Sequence, residues 1–285
     1  MTAATPFSKL LRVEPGTLLA GLDTRATPGV KNRTRAADAT VAYQAQIAEL
    51  QERLYAEAHG PEDGSGRSLL LIVQGMDTAG KGGVMRHVVG ACDPQGVRLT
   101  AFKAPTPQEL AHPFLWRIRN ALPRPGEIGV FDRSQYEDVL IVRVHELVPR
   151  TVWSRRYAQI NRFEQQVAAA GTTIVKVLLQ ISPEEQRERL SERLARPDKY
   201  WKYNPHDVDE RLRWRDYEAA YQAVIDRCST ELAPWHVVPA DRKWYVRHAV
   251  TRLLAEQLEA MDPQWPPATF DVEAERRRLA AADIV

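Results

Sequence analysis

Residues Ser68 to Val84, SLLLIVQGMDTAGKGGV, constrain the fold more than any other stretch of the chain. Leu69 to Val73 is an apolar run with the look of a buried strand. Gly75 to Gly80 is a glycine-rich turn, and a helix opens at Lys81. Gly75, Gly80 and Lys81 have the phosphate-loop spacing of a glycine, four residues, then glycine and lysine. Glycines allow positive φ and leave no Cβ in the way, so amides from Ala79, Gly80, Gly82 and Gly83 can close around phosphate oxygens. The helix start adds free N–H groups and a partial positive charge, and Lys81 adds a mobile full charge. A strand, loop and helix in this order predict a phosphate-binding loop inside an α/β domain.

The turn has two unusual features. Gly82 stands where a Ser or Thr hydroxyl would ordinarily ligate magnesium, and Asp77 lies inside the loop. A carboxylate beside bound phosphates is repelled unless a cation lies between them. Asp77 is therefore read as a magnesium ligand or a general base. The plainer alternative is a turn aspartate accepting backbone N–H bonds.

The rest of the chain can house one large α/β domain with appendages. It has 285 residues, 39 basic and 37 acidic, for a net charge of +2. Bulk charge therefore says nothing about an anionic partner, and only local clustering can. The two cysteines, Cys92 and Cys228, form no metal-ligand spacing or disulfide framework and fit a reducing cytosol. No signal peptide and no membrane-spanning run is read, so the expected location is cytoplasmic, without membrane or nucleic-acid partners. Residues 1–35, rich in Pro, Gly, Thr and Arg, read as an extended arm on the core. Residues 36–262 read as the catalytic domain and 263–285 as a tail with its own helical end, suited to a partner subunit.

In order along the domain, residues 36–58 read as an amphipathic helix, and HGPEDGSG, His59 to Gly66, as a loop. Val97 to Phe102 is a second strand, with Lys103 at its end, where open α/β sheets place ligands. Thr106 and Glu109 form a capping box for a helix from Pro107 that buries Phe114, Leu115, Ile118 and Leu122. Arg117 and Arg119 lie off that face, able to meet anions or simply solvent. Ile128 to Phe131 is a third strand ending in Asp132, the pattern of a Walker B segment. An acid there can hold magnesium, and Arg133 after it can clamp a phosphoryl oxygen. A helix N-cap is the plainer role for Asp132. Thr173 to Ile181 reads as a fourth strand, almost continuously apolar as a central parallel strand should be, and Trp235 to Val238 as a fifth short strand.

Between the last two strands, residues 183–215 carry Arg189, Arg193 and Arg196 on one helical face, followed by Lys199 and Lys202. Interleaved glutamates permit a salt-bridged surface helix. The position favours a mobile lid whose cations close over phosphates.

GMDTAGKGG, FKAPTPQELAHPFLWR, GVFDRSQYEDVLIVRVHE, RPDKYWKYNP with WRDYEAAY, and PWHVVPADRKWYVR together resemble polyphosphate kinase family 2. The resemblance runs from about Val13 to Leu258. It implies phosphoryl transfer between inorganic polyphosphate and nucleotides, an α/β fold of the P-loop kinase type with a five-stranded parallel sheet flanked by helices and a helical lid, and dependence on magnesium, with manganese as a substitute. It also implies a homo-dimer or homo-tetramer. On matching positions, Lys81 and Asp77 are the loop lysine and aspartate, Asp132 and Arg133 the Walker B acid and its arginine, and Arg193, Lys199 and Lys202 the lid cations. RSQYEDVLIVRVHE is similar to the subgroup that accepts nucleoside monophosphates as well as diphosphates, with Glu137 and Asp138 reading the acceptor. The chain departs from the family pattern at Pro113, where an aspartate is usual, and at Arg196, where an acid is usual. A generic ATP-dependent small-molecule kinase, or a silent polyphosphate- or nucleotide-binding protein, are the competing readings.

Overall fold

The computed structural model describes residues 5–60 and 66–282. The expected loop at 59–66 falls largely on residues 61–65, outside the described residues. The chain builds a six-stranded sheet: β1 (Arg12–Val13), β2 (Ser68–Gly75), β3 (Val97–Ala101), β4 (Ile128–Asp132), β5 (Thr172–Gln180) and β6 (Trp235–Pro239). Their spatial order is β1-β6-β5-β2-β4-β3. Strands β2 to β6 are parallel, as expected. The sixth strand is the departure: β1 comes from the N-terminal arm and pairs antiparallel with β6, Arg12 opposite His236 and Val13 opposite Trp235. It covers a strand edge that would otherwise expose unpaired backbone groups.

Strand β2 is buried along its whole length. Leu69, Leu71 and Val73 enter one core, while Leu70 and Ile72 enter the other. Helices on both faces account for this near-continuous apolar run. On one face lie helices Arg33–Ala58 and Lys243–Met261; on the other lie Arg150–Ala169 and Trp214–Cys228.

The arm is packed rather than simply extended. It folds a short helix, Phe7–Leu10, and buries Phe7 and Leu11 completely or nearly so. The helix expected from Pro107 onward is broken into Pro107–Leu110 and Trp116–Asn120. Pro113 lies between them, where it removes a backbone donor and disfavours helix in the residue before it. The Thr106–Glu109 capping box does form. The segment after β5 contains helix Pro183–Ala195, a 3-10 stretch Pro197–Lys202 and helix His206–Leu212. Pro197 and Pro205 punctuate it. In the tail, helix Val272–Ala280 buries none of its residues.

Candidate active site

The C-terminal ends of β2 and β4 lie side by side, Val73 opposite Asp132. They deliver the glycine-rich loop and the strand-ending aspartate to the same edge, where open α/β sheets bind ligands. Gly75 has φ 155°, and a Cβ there would lie 2.9 Å from the Leu179 carbonyl oxygen. The close approach to β5 therefore demands glycine. Gly80 has φ 121° where the loop enters helix Lys81–His87. Of the four non-glycine residues with positive φ among those described, two lie at this edge, Thr78 at 64° and Arg133 at 66°; Glu146 and Asp262 lie elsewhere. Such backbone is uncommon and costs about 1–3 kcal/mol each, so its concentration at one edge marks a functional site.

Charged groups converge here. Arg133 donates from Nη2 to Oδ1 of Asp77 at 2.8 Å. Lys81 turns its ammonium onto the loop, donating to the carbonyls of Gly75 at 2.6 Å and Met76 at 3.2 Å. Burial alone would raise the Asp77 carboxyl, but Lys81 and Arg133 outweigh it and hold the group below its usual range. Burial lowers the Lys81 ammonium against the pull of Asp77 and Asp132. Burial also raises the Glu137 carboxyl, opposed by Arg133 and Lys81.

Two cavities meet at Asp77, which lines both. One, of about 400 Å³, runs from the loop to the 183–202 segment. Its wall holds the loop residues Ala79 to Gly83, Asp132, and the cations Arg189, Arg193, Lys199 and Lys202. Sequence reading did not assign Arg86, His87, Lys243 and Arg247 to it. Lys243 follows the C-terminal end of β6, and that position was the available signal.

The second cavity, of about 570 Å³, mixes apolar and charged walls. It contains Gly75, Arg133, Glu137, Asp138, Lys103 and Arg117. Lys103 and Arg117, both read as phosphate contacts, thus lie away from the basic cavity. Arg117 donates to the Lys103 carbonyl at 2.8 Å and sits over the Phe102 ring. Asp138 pairs with Arg156 at 2.7 Å. Burial pushes its carboxyl up to about 6, against the pull of Arg156 and Arg117. Asp207, Glu210, Tyr217 and Tyr221 line the far wall. They come from later segments, and their approach to Glu137 was not visible in the chain order.

Arg189 departs most from its expected role. Only 6% exposed, it donates to the carbonyls of Thr78, Ala79, Ala240 and Asp241 and to Glu185. Arg193 is more open and pairs with Asp207 at 3.1 Å.

Asp77 and Asp132 are hard oxygen donors on one wall, which suits magnesium or manganese rather than a thiophilic metal. Among the described residues no group of three or more His, Cys, Asp or Glu is assembled for a metal. Two carboxylates nonetheless fit magnesium, which keeps water and substrate phosphate as its remaining ligands.

The model of the family Polyphosphate kinase 2 (PPK2) matches residues 31–266. The chain belongs to the polyphosphate kinase 2 family. An AMP/ADP-polyphosphate phosphotransferase of Meiothermus ruber is 45% identical over 244 residues, covering 86% of this chain and 88% of that one. An ADP-polyphosphate phosphotransferase of Rhodopseudomonas palustris is 42% identical, covering 79% of each. The crystal structure of polyphosphate kinase 2 from Arthrobacter aurescens TC1 superposes with a TM-score of 0.94 at 52% identity, over 98% of both chains. Membership in this kinase family makes the chain a phosphotransferase of the P-loop kinase type. No helix among the described residues is long and apolar enough to cross a membrane.

Proposed function

We propose that the protein transfers phosphoryl groups reversibly between inorganic polyphosphate and nucleoside mono- and diphosphates, with magnesium bound. The observation that carries this reading is that Asp77, which accepts from Arg133, lines both cavities. A polyanion fits the basic cavity, and a nucleotide fits the mixed one with its phosphate toward Arg133. The name of the Meiothermus ruber relative supports acceptance of both AMP and ADP. We extend the reading to residues 36–262 as the catalytic body, residues 183–215 as its lid, and a cytoplasmic homo-dimer or homo-tetramer.

Phosphoryl transfer demands alignment and charge compensation more than covalent help from the protein. Lys81 exchanges its two loop carbonyls for phosphate oxygens of the donor chain. Arg133, held on Asp77 where the two cavities share a wall, stabilises charge that grows on the transferring group. Arg193, Lys199 and Lys202 cover the donor chain and exclude water. The acceptor oxygen is already ionised near neutral pH, so Asp77 aligns rather than deprotonates. Asp77 and Asp132 would hold the magnesium, which when bound offsets phosphate charge.

The test is nucleotide formation by pure protein with magnesium and long-chain polyphosphate, offering AMP, ADP and GDP separately. ADP or ATP from AMP is the expected result. Product only from diphosphates would remove the monophosphate claim. No product from any, with transfer from ATP to another small acceptor, would replace the reading with a generic kinase.

A further inference from the structure

We propose that Arg189 is a positioning residue that holds the carbonyl edge of the phosphate loop against the base of the 183–195 helix, leaving the loop's amide edge to the donor phosphates. The inference rests on the reading of the basic cavity as a polyphosphate site. It replaces the phosphate contact that the helical spacing of Arg189 suggested.

A guanidinium has five N–H donors. Arg189 has a partner for every one. Nε reaches Glu185 at 2.8 Å; Nη1 reaches the carbonyls of Thr78 at 2.8 Å and Ala79 at 3.1 Å; Nη2 reaches those of Ala240 at 2.7 Å and Asp241 at 3.1 Å. A phosphate would have to displace a buried, satisfied bond. One turn earlier, Gln186 donates to the Asp77 carbonyl at 3.2 Å. Three successive loop carbonyls, 77 to 79, are thus held by one helix, while Lys81 takes those of 75 and 76. With the carbonyls drawn to one side, the edge the loop offers an anion is its amide edge.

The loop needs such a hold. Thr78 is β-branched yet sits at φ 64°, and its buried hydroxyl has no hydrogen-bond partner among the described residues. Strain of this kind persists only when the surroundings over-determine it. Lys81 can release its carbonyls to bind phosphate, because it is a flexible point charge. Arg189 is fixed between the loop and the residues after β6, so its bonds last through that exchange. An ammonium at this position could not reach both pairs of carbonyls, because it lacks the planar fork.

The proposal is tested by calorimetric binding of polyphosphate of one fixed chain length to the full chain at several salt concentrations. The proteins are wild type, Arg189→Lys, Arg189→Gln and Gln186→Met. Both Arg189 variants should lose about tenfold in affinity, and equally, because geometry rather than charge is removed. The slope of log affinity against log salt should match wild type, since that slope counts the cations that meet a polyanion. KM for the nucleotide should stay unchanged in both. Wild-type affinity in Arg189→Lys alongside loss in Arg189→Gln would overturn the proposal, as would a salt slope reduced by about one charge in Arg189→Gln. If the Arg189 variants do not fold, Gln186→Met should lose about threefold at unchanged slope, and undiminished affinity there would overturn it. Failure of the wild type to bind polyphosphate would instead overturn the functional reading beneath it.

Discussion

Asp132 ends β4 and shares the wall of the basic cavity with Asp77 and Lys81, and both acids pull on the Lys81 ammonium. Asp132→Asn keeps size and hydrogen bonding but removes a charge from the magnesium site. Turnover should fall by about 100-fold or more, the scale of losing one pre-organised electrostatic group, and more magnesium should be needed for half-maximal rate. An unchanged melting temperature with full activity would remove Asp132 from metal binding. Asp138 offers a different test. Its folded carboxyl is raised to about 6 from an ordinary 3.8, chiefly by burial. The folded state therefore binds more protons than the unfolded state between those values. Its contribution to stability is present below the unfolded value and is lost as pH rises through about 6. Asp138→Asn should remove this decline, so the melting-temperature difference between variant and wild type should change across that window and be flat above it.

Among the elements, β5 carries an unexpected charge. Lys176 is fully buried in the middle of the apolar run Ile174 to Leu179. Its ammonium donates to Glu164 at 2.7 Å, to the Cys228 carbonyl at 2.6 Å and to Tyr136 Oη at 2.9 Å. Glu164 also accepts from Tyr136 at 2.7 Å and Gln135 at 3.0 Å, so the network fixes the short helical turn that presents Glu137 and Asp138. Removing one partner of a buried pair costs about 3–5 kcal/mol, because the other charge is left unpaired. Lys176→Met should cost that much in urea unfolding. Adding Glu164→Gln should recover part of the loss rather than add to it, and simple additivity would mean that the pair is not coupled. This network also shows where sequence reading stops. The strand, the phosphate loop and Asp132 were legible because each is a local pattern: an apolar run, glycine spacing, an acid at a strand end. The role of Lys176 was not, because Glu164, Tyr136 and Cys228 reach it from three other elements. Arg189 misled for the same reason. Helical spacing placed it with Arg193 on one face, but the sequence could not say that this turn of helix lies against the loop. The helix broken at Pro113 was locally readable, and the apolar spacing across the break concealed it.

At the scale of the whole molecule, the N-terminal arm is packed onto the sheet and its last long helix. Composition suggested an appendage, since Pro, Gly and polar residues dominate and its partners lie more than 200 positions away. Glu256 accepts from the backbone N–H groups of Phe7 and Ser8, both at 2.8 Å, supplying the donors of the first helix with a cap from another element. The Phe7 ring is buried beneath Arg252 and against the edge of His248. Further along, Ser229 donates to the Val13 carbonyl and Thr24 to Asp241, the residue whose own carbonyl accepts from Arg189. The arm therefore braces both the outer strand and the platform under the phosphate loop. Phe7→Ala empties a fully buried aromatic site and should cost about 3–5 kcal/mol in denaturant unfolding, as large-to-small core changes do. A single transition with an unchanged denaturant slope would show that the arm unfolds with the domain. A separate early transition, or a loss near zero, would show instead that the arm unfolds alone. The deeper cores would then carry the stability of the fold without it.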